Sequence, residues 1–308
     1  MSQTIFRASP TLVWAVLGYV AIWGGSTLYL AGAGTDWIFP IVSLGLFGGL
    51  LTALAVWLTR RTAAPTVPVR RPIRESLVLL AYLAVYAVLF LGPVMSWLRS
   101  AIPPGPGQEL AVIAFKLAIH LVIPILLLRA AKASLEGTTD PGLSRKGVVA
   151  TLVVFGAILV GLQTLVSPSL RQIAALDLSP FAVGAWILGA WAWISIEAGL
   201  CEEFFYRVLL QSRLGAWFGS APLAIATTAI VFALAHAPGL YLRGGPGVEG
   251  WSQNPVEVAA YTIATLSPIA IMFGTLWHRT RSLVLVVMLH GAVDALPATA
   301  RFATIWGG

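Results

Sequence analysis

The chain has 308 residues, 58% of them hydrophobic and only 10% charged, with a formal net charge of +7 and a single cysteine. Soluble domains carry roughly a quarter charged residues, so this composition, with a mean hydropathy of +0.87, excludes an ordinary soluble domain and marks a polytopic membrane protein. The positive charge is therefore no sign of nucleic-acid binding, and the lone Cys201 excludes an intramolecular disulfide and gives no metal-ligand spacing.

Nine apolar segments are long enough to span a bilayer, at roughly twenty residues each. They run about 11–31, 38–58, 76–98, 110–128, 148–167, 181–201, 221–237, 257–277 and 283–300. The expected fold is an all-α polytopic helical bundle. The first segment has small residues at its end, as a signal peptide would, but its apolar run is too long for one, and it reads as a retained helix. The connection 59–75 carries Arg60, Arg61, Arg70, Arg71 and Arg74, and 129–147 carries Arg129, Lys132, Arg145 and Lys146. Arg207 and Arg213 follow the sixth segment, Arg279 and Arg281 follow the eighth, and Arg7 precedes the first. All of these fall on one side, against Arg99, Arg171, Arg243 and Arg301 on the other. The bias predicts a cytoplasmic N-terminus and an exterior C-terminus. The breaker-rich stretch 238–256 reads as an exterior connector.

Most acidic residues lie in connections: Asp36, Glu75, Glu109, Glu136, Asp140, Asp177 and Glu249, with Glu257 at a helix start. Those left in apolar surroundings are Glu197, Glu202, Glu203 and Asp294, together with His120, His236, His290 and Lys116. Ionisable groups are costly inside a membrane, so each needs a reason. Glu203 and Arg207 are four apart and can pair along a helix, as can His290 and Asp294. Glu202 and Glu203 diverge by about 100°, so one can face a cavity while the other holds Arg207.

The helices with Glu202 and His236 form a hairpin about the turn Leu214–Ser220. Glu202 lies 15 residues before Trp217 and His236 lies 19 after it, which puts the two within roughly 6 Å in depth. His290 follows the short connection 278–282 by eight residues, about 12 Å along its helix. Glu202, His236 and His290 can therefore converge. A carboxylate in a partly dry site can activate water near neutral pH. Histidines can stabilise an oxyanion or pass a proton to a leaving amine, and Asp294 can orient His290. Lys116 and His120 share a helix face and suit either a polar path or an interfacial lysine. Glu197 can pair with one of them.

The three patterns EExxxR at 202–207, FxxxH at 232–236 and HxxxD at 290–294, in that order, resemble the CPBP family. That family comprises type II CAAX prenyl endopeptidases and bacteriocin-processing or self-immunity (Abi-type) proteins. The basic turn from Phe273 to Ser282 before the third pattern is similar to the family's as well. The resemblance divides the chain into N-terminal transmembrane helices of unassigned role (1–180), a catalytic transmembrane core (181–300) and a C-terminal tail (301–308).

The resemblance implies an intramembrane glutamic endopeptidase without a cofactor. Glu202 would be the base that activates water, His236 and His290 would assist, and Glu203 and Arg207 would support the site. The last position is commonly Asn; here it is Asp294, so an ionised side chain could not donate to an oxyanion. The implied substrate is a membrane-associated peptide or protein, lipidated or not, and the short connections suggest a bacterial cytoplasmic membrane protein.

Rival readings use the same residues. Glu202, His236 and His290 are adequate zinc ligands, although no HExxH is present. A non-catalytic scaffold or a peptide-toxin immunity protein would keep the fold without the chemistry. Serine chemistry lacks a GxSxG pattern, and a proton-coupled transporter lacks inverted repeats. Oligomeric state is not legible in the sequence.

Overall fold

The computed structural model describes residues 10–62, 65–136 and 141–307. Arg7 and Asp140, used above, lie outside them. Among the described residues every long element is a helix, and nine are long and apolar enough to cross a membrane. They are α1 (Pro10–Gly32), α2 (Ile38–Leu58), α3 (Pro72–Ala101), α4 (Pro106–Ala130), α5 (Arg145–Val166), α6 (Pro180–Phe218), α7 (Ala221–Arg243), α8 (Pro255–Thr280) and α9 (Leu283–Gly307). A short helix, Ser169–Ala174, joins α5 to α6. The protein is an integral multi-pass membrane protein with an all-α bundle.

The bundle has a centre and a rim. The most apolar stretch of α8 is 61% buried, whereas that of α2 is 17% buried, so α8 is a core helix and α2 faces outward. Trp277 of α8 is wholly enclosed. At the rim, Phe181, Leu165 and Leu28 are largely exposed, which a lipid solvent tolerates and water would not. α1 is tied to α8 by the Tyr19 and Ser267 hydroxyls at 2.9 Å and by Trp23 Nε1 donating to the Ala264 carbonyl at 3.0 Å. These bonds satisfy polar atoms that hydrocarbon could not.

Two glycines let α6 and α9 meet closely. A Cβ on Gly199 would sit 2.6 Å from the Val287 carbonyl oxygen, and one on Gly291 would overlap the Ser195 hydroxyl. Small residues at such crossings allow backbone approach. The histidine beside Gly291 is His290.

The structure departs from the sequence reading at α6. That helix does not end near residue 201 but continues to Phe218. It stops at Gly219, which is left-handed at φ +60°, and α7 begins at once with Ser220 accepting from the Leu223 amide. Arg207 and Arg213 are therefore not loop cations. Both are fully enclosed, Arg207 Nε lying 3.0 Å from Glu203 Oε2 and Arg213 Nε 3.2 Å from Glu75 Oε2. Paired charge lets an apolar helix run on where sequence alone suggests a break. Arg279 also lies within a helix, at the end of α8, and donates to Thr59, which caps the end of α2.

Five stretches are wound more widely than an α-helix, with i→i+5 bonding: Leu44–Leu51, Tyr86–Val94, Ala118–Val122, Ser195–Leu200 and Phe204–Gln211. Such turns are uncommon and gather at functional sites. The last two flank Cys201–Glu203, and two others carry Tyr86 and His120. In α3 the wide stretch also holds a sharp break at Gly92 (φ −91°, ψ −105°), just before Pro93. The connection after α7 is pinned rather than free: Glu249 accepts from Tyr261, Ser252 donates to Glu257, and Asn254 donates to Tyr29.

Candidate functional site

Glu202, His236 and His290 come from α6, α7 and α9 and meet inside the bundle. Glu202 Oε2 lies 3.6 Å from His236 Nε2 and 3.7 Å from His290 Nε2. Both contacts are slightly too long for direct hydrogen bonds and suit bridging through a third polar atom.

The outer nitrogens fix the rings. His236 Nδ1 is 2.7 Å from the Phe232 carbonyl, and a carbonyl only accepts. Hydrogen bonding therefore assigns the proton to Nδ1 and turns Nε2 toward Glu202. The spacing of Phe232 and His236, one helical turn, is what makes this bond local. The Phe232 ring lies 4.5 Å from the imidazole and packs against Tyr206.

His290 is held differently. Its Nδ1 lies 2.9 Å from Glu203 Oε1, while Glu203 Oε2 accepts from Arg207 Nε at 3.0 Å. Glu203 and Arg207 are wholly enclosed. The pair of adjacent glutamates is thus divided: Glu202 faces two imidazole Nε2 atoms, and Glu203 joins Arg207 to the far side of one imidazole. Arg207 also lies over the Phe232 ring at 5.1 Å, so one cation braces both histidine supports. Phe273 of α8 stacks on His290 with centroids 5.5 Å apart.

Asp294 stands one turn below His290. Its Oδ2 is 3.8 Å from His290 Nε2, beyond hydrogen-bond reach, and its side chain is 48% exposed. Glu203, not Asp294, takes the Nδ1 proton. The exposure of Asp294 matters in another way, because it lines a cavity of about 300 Å³ that also touches Glu197, Trp193, Pro297, Arg301 and Trp306. Asp294 is the residue that stands both beside His290 and in this cavity wall.

A second polar group backs the first. Lys116 Nζ lies 2.8 Å from Glu197 Oε1. His120 Nδ1 donates to the Lys116 carbonyl at 2.8 Å, leaving Nε2 to accept from the Tyr86 hydroxyl at 2.6 Å. Lys116, His120 and Tyr86 all lie within electrostatic reach of Glu202. The first-half helices α3 and α4 thus supply a wall of the cluster, which no sequence pattern indicated. Lys116 and His120 could be flagged as ionisable residues in an apolar run. Tyr86 could not, since tyrosine is unremarkable in a membrane helix.

Among the described residues, no group of three His, Cys, Asp or Glu side chains is arranged to hold a metal ion. Residues 184–296 match the family model described as type II CAAX prenyl endopeptidase Rce1-like. No curated protein and no solved structure matches the chain. The matched segment starts in α6 and ends in α9, and it contains Glu202, Glu203, Arg207, His236, His290 and Asp294 but not Tyr86, Lys116 or His120.

Proposed function

Because the chain carries a type II CAAX prenyl endopeptidase Rce1-like domain at residues 184–296, we propose that it hydrolyses a peptide bond of a membrane-associated substrate with Glu202 as the base. The domain belongs to a family of membrane proteases, so protease chemistry and a membrane-associated peptide or protein substrate are the premise. The catalytic assignment is the inference. The observation that carries it is the placement of one carboxylate oxygen 3.6 and 3.7 Å from two imidazole Nε2 atoms, beside a cavity.

In this reading Glu202 takes a proton from a water that also donates to His236 Nε2. The water oxygen attacks the scissile carbonyl carbon. His290, protonated on both nitrogens, donates from Nε2 to the developing oxyanion, while its Nδ1–H stays hydrogen-bonded to the Glu203 carboxylate. Arg207 balances the charge of Glu203, so the oxyanion donor keeps one orientation. The tetrahedral intermediate collapses as Glu202 hands its proton to the leaving nitrogen. The C–N bond breaks, giving a carboxylic acid on one fragment and an amine on the other, and the acid's remaining proton passes to that amine or to solvent, leaving a carboxylate. No metal is needed for these steps, and Asp294 contributes to the cavity wall rather than donating to the oxyanion.

We place the protein in a bacterial cytoplasmic membrane, with 181–300 as the catalytic core and α1–α5 as its surround. The test is proteolysis by the full chain reconstituted in nanodiscs, using a membrane peptide library. Glu202→Gln is expected to abolish cleavage while leaving the thermal melting of the protein intact. Full cleavage by that variant would sink the assignment. Loss of activity in chelator with recovery on adding zinc would replace it with the metal-dependent alternative.

A further inference from the structure

A second cavity, apart from the Glu202 cluster, lies where the turns at the far end of α6 meet. It holds about 270 Å³ and is bounded by the end of α6, the start of α7, the end of α8 with the turn after it, and the connection between α2 and α3. Thr66, Ser212, Gly215, Ser220, His278 and Arg281 line it, and none of its lining residues is acidic. The α2–α3 connection carries Arg60, Arg61, Arg70 and Arg71, so this is the end of the bundle that the charge bias assigns to the cytoplasm.

Arg281 is held in place but incompletely satisfied. It ends α8 in a left-handed conformation, φ 51°, where glycine is the usual residue. Its guanidinium lies over the Trp277 ring, 5.4 Å from the centroid, and donates to Ser212 Oγ at 3.0 Å. Ser212 is itself fixed, since it donates to the Arg207 carbonyl and accepts from Trp277 Nε1. A guanidinium has five N–H donors. The Arg281 Nε is enclosed without a hydrogen-bond partner among the described residues. Burial pushes this guanidinium down to about 10, with no carboxylate to offset it. Arginine nonetheless keeps its proton in proteins, so its burial leaves a positive charge that an anion would balance. His278 shares the cavity and lies within electrostatic reach of Arg281 and Arg279, which brings a further donor and no negative charge. Helix α7 brings its N-terminus to the same space through Ser220 and Ala221, and that end of a helix carries partial positive charge.

We propose that this cavity binds a phosphate group, with Arg281 as its anchoring cation and the Thr66 and Ser220 hydroxyls as neutral donors. Donors arriving from separate segments suit a tetrahedral anion with oxygens on every side. Gly215 supplies room where a larger side chain would fill the space. The phosphate can be that of a lipid headgroup or free in solution, because both present the same oxygens. Bound there, it joins the α6–α7 turn to the α8–α9 turn. These are the ends of the helices that carry Glu202, His236 and His290, so the ligand braces the frame of that cluster without touching it. The inference does not rest on the proteolytic reading.

The test uses the full chain in dodecyl maltoside, with inorganic phosphate as the probe and chloride at matched ionic strength as the control. The melting temperature is followed against ligand concentration, which yields an apparent Kd. Phosphate is expected to raise it and chloride to leave it unchanged. Arg281→Gln should weaken the apparent binding about 10- to 100-fold, as for a lost hydrogen bond to a charged group, and Arg281→Lys should recover part. The general salting effect of phosphate on apolar burial persists in these variants and is thereby subtracted. A second pair of variants covers a misfolded Arg281→Gln. Ala216 is exposed at the rim of the cavity, so Ala216→Glu should weaken binding and Ala216→Lys should strengthen it. Dihexanoyl phosphatidylglycerol is titrated in parallel. Tighter binding of it than of inorganic phosphate supports the proposal with a headgroup as ligand, and the reverse order supports it with soluble phosphate. A phosphate response equal to that of chloride, or one that survives both Arg281→Gln and Ala216→Glu, would overturn the proposal. So would binding that appears only after Asp140→Asn, a position outside the described residues, because the cation would then have its partner within the chain.

Discussion

Helix α6 contributes an arginine to each of two buried Glu–Arg pairs, one within the helix and one reaching Glu75 on α3, and they differ in what they touch. Glu203–Arg207 and Glu75–Arg213 are both fully enclosed, at 3.0 and 3.2 Å. Arg213 spends its other donors on backbone, at the Leu209 and Ser134 carbonyls. Glu75 turns its second oxygen to the Arg71 amide at the start of α3. That pair fastens the ends of helices. In the other pair, Glu203 gives its second oxygen to an imidazole that faces Glu202. A buried ion pair is weak evidence of stability by itself. What distinguishes a fastening from a working part is the next atom along.

The largest expected effect leaves both pairs intact. Glu202→Gln should lower the cleavage rate by about 10²–10⁴-fold, the usual worth of a positioned base, with an unchanged melt in detergent. Breaking the pairs then separates their roles. Arg213→Met strands Glu75 and should cost about 3–5 kcal/mol, read as a lower melting temperature, while the folded fraction keeps its kcat. Arg207→Met should cost a similar amount of stability and lose turnover as well. If the two variants lose kcat alike, the distinction between them fails.

A smaller effect is expected at the crossing that delivers His290 to Glu203. Gly199→Ala must push α9 away from a carbonyl 2.6 Å distant and should cost about 1–3 kcal/mol, with a drop in kcat that exceeds the change in KM. The smallest is Tyr86→Phe, which removes the donor to His120. About 1 kcal/mol of stability is at stake there, with turnover changed less than in the Arg207 variant.

The sequence was most legible where polarity stands out against an apolar background. Nine segments could be counted because a bilayer imposes length, and Glu202, His236 and His290 were visible because hydrocarbon leaves few other reasons for them. Helical rise then sufficed to put them at compatible depths. The links among them were harder to read. Glu203 reaching His290 depends on side-chain direction across a helix crossing, and two glycines set that crossing without any pattern of their own. Arg213 resembled a loop cation because the carboxylate that buries it lies far away in the chain, at Glu75, whereas the partner of Arg207 was legible one turn back at Glu203. The meeting of Arg99 and Arg301 on Glu109 could not be seen either, since loop charges carry no information on which helix ends adjoin.

The wide turns of α6 have a consequence for how the helix tolerates change in length. An α-helical residue advances about 100° around the axis, and a turn closed by i→i+5 bonds absorbs one residue that an α-turn would not. Ser195–Leu200 and Phe204–Gln211 therefore act as phase adapters on either side of Cys201–Glu203. Deleting a residue from one of them and letting it close as an α-turn would keep the helix continuous and everything beyond it in phase with the glutamates. A residue added to or removed from an ordinary α-helical part of α6 would instead turn Glu202 and Glu203 by about 100° against one end of the helix. The two glutamates can thus keep their facing while α6 changes length at these two places.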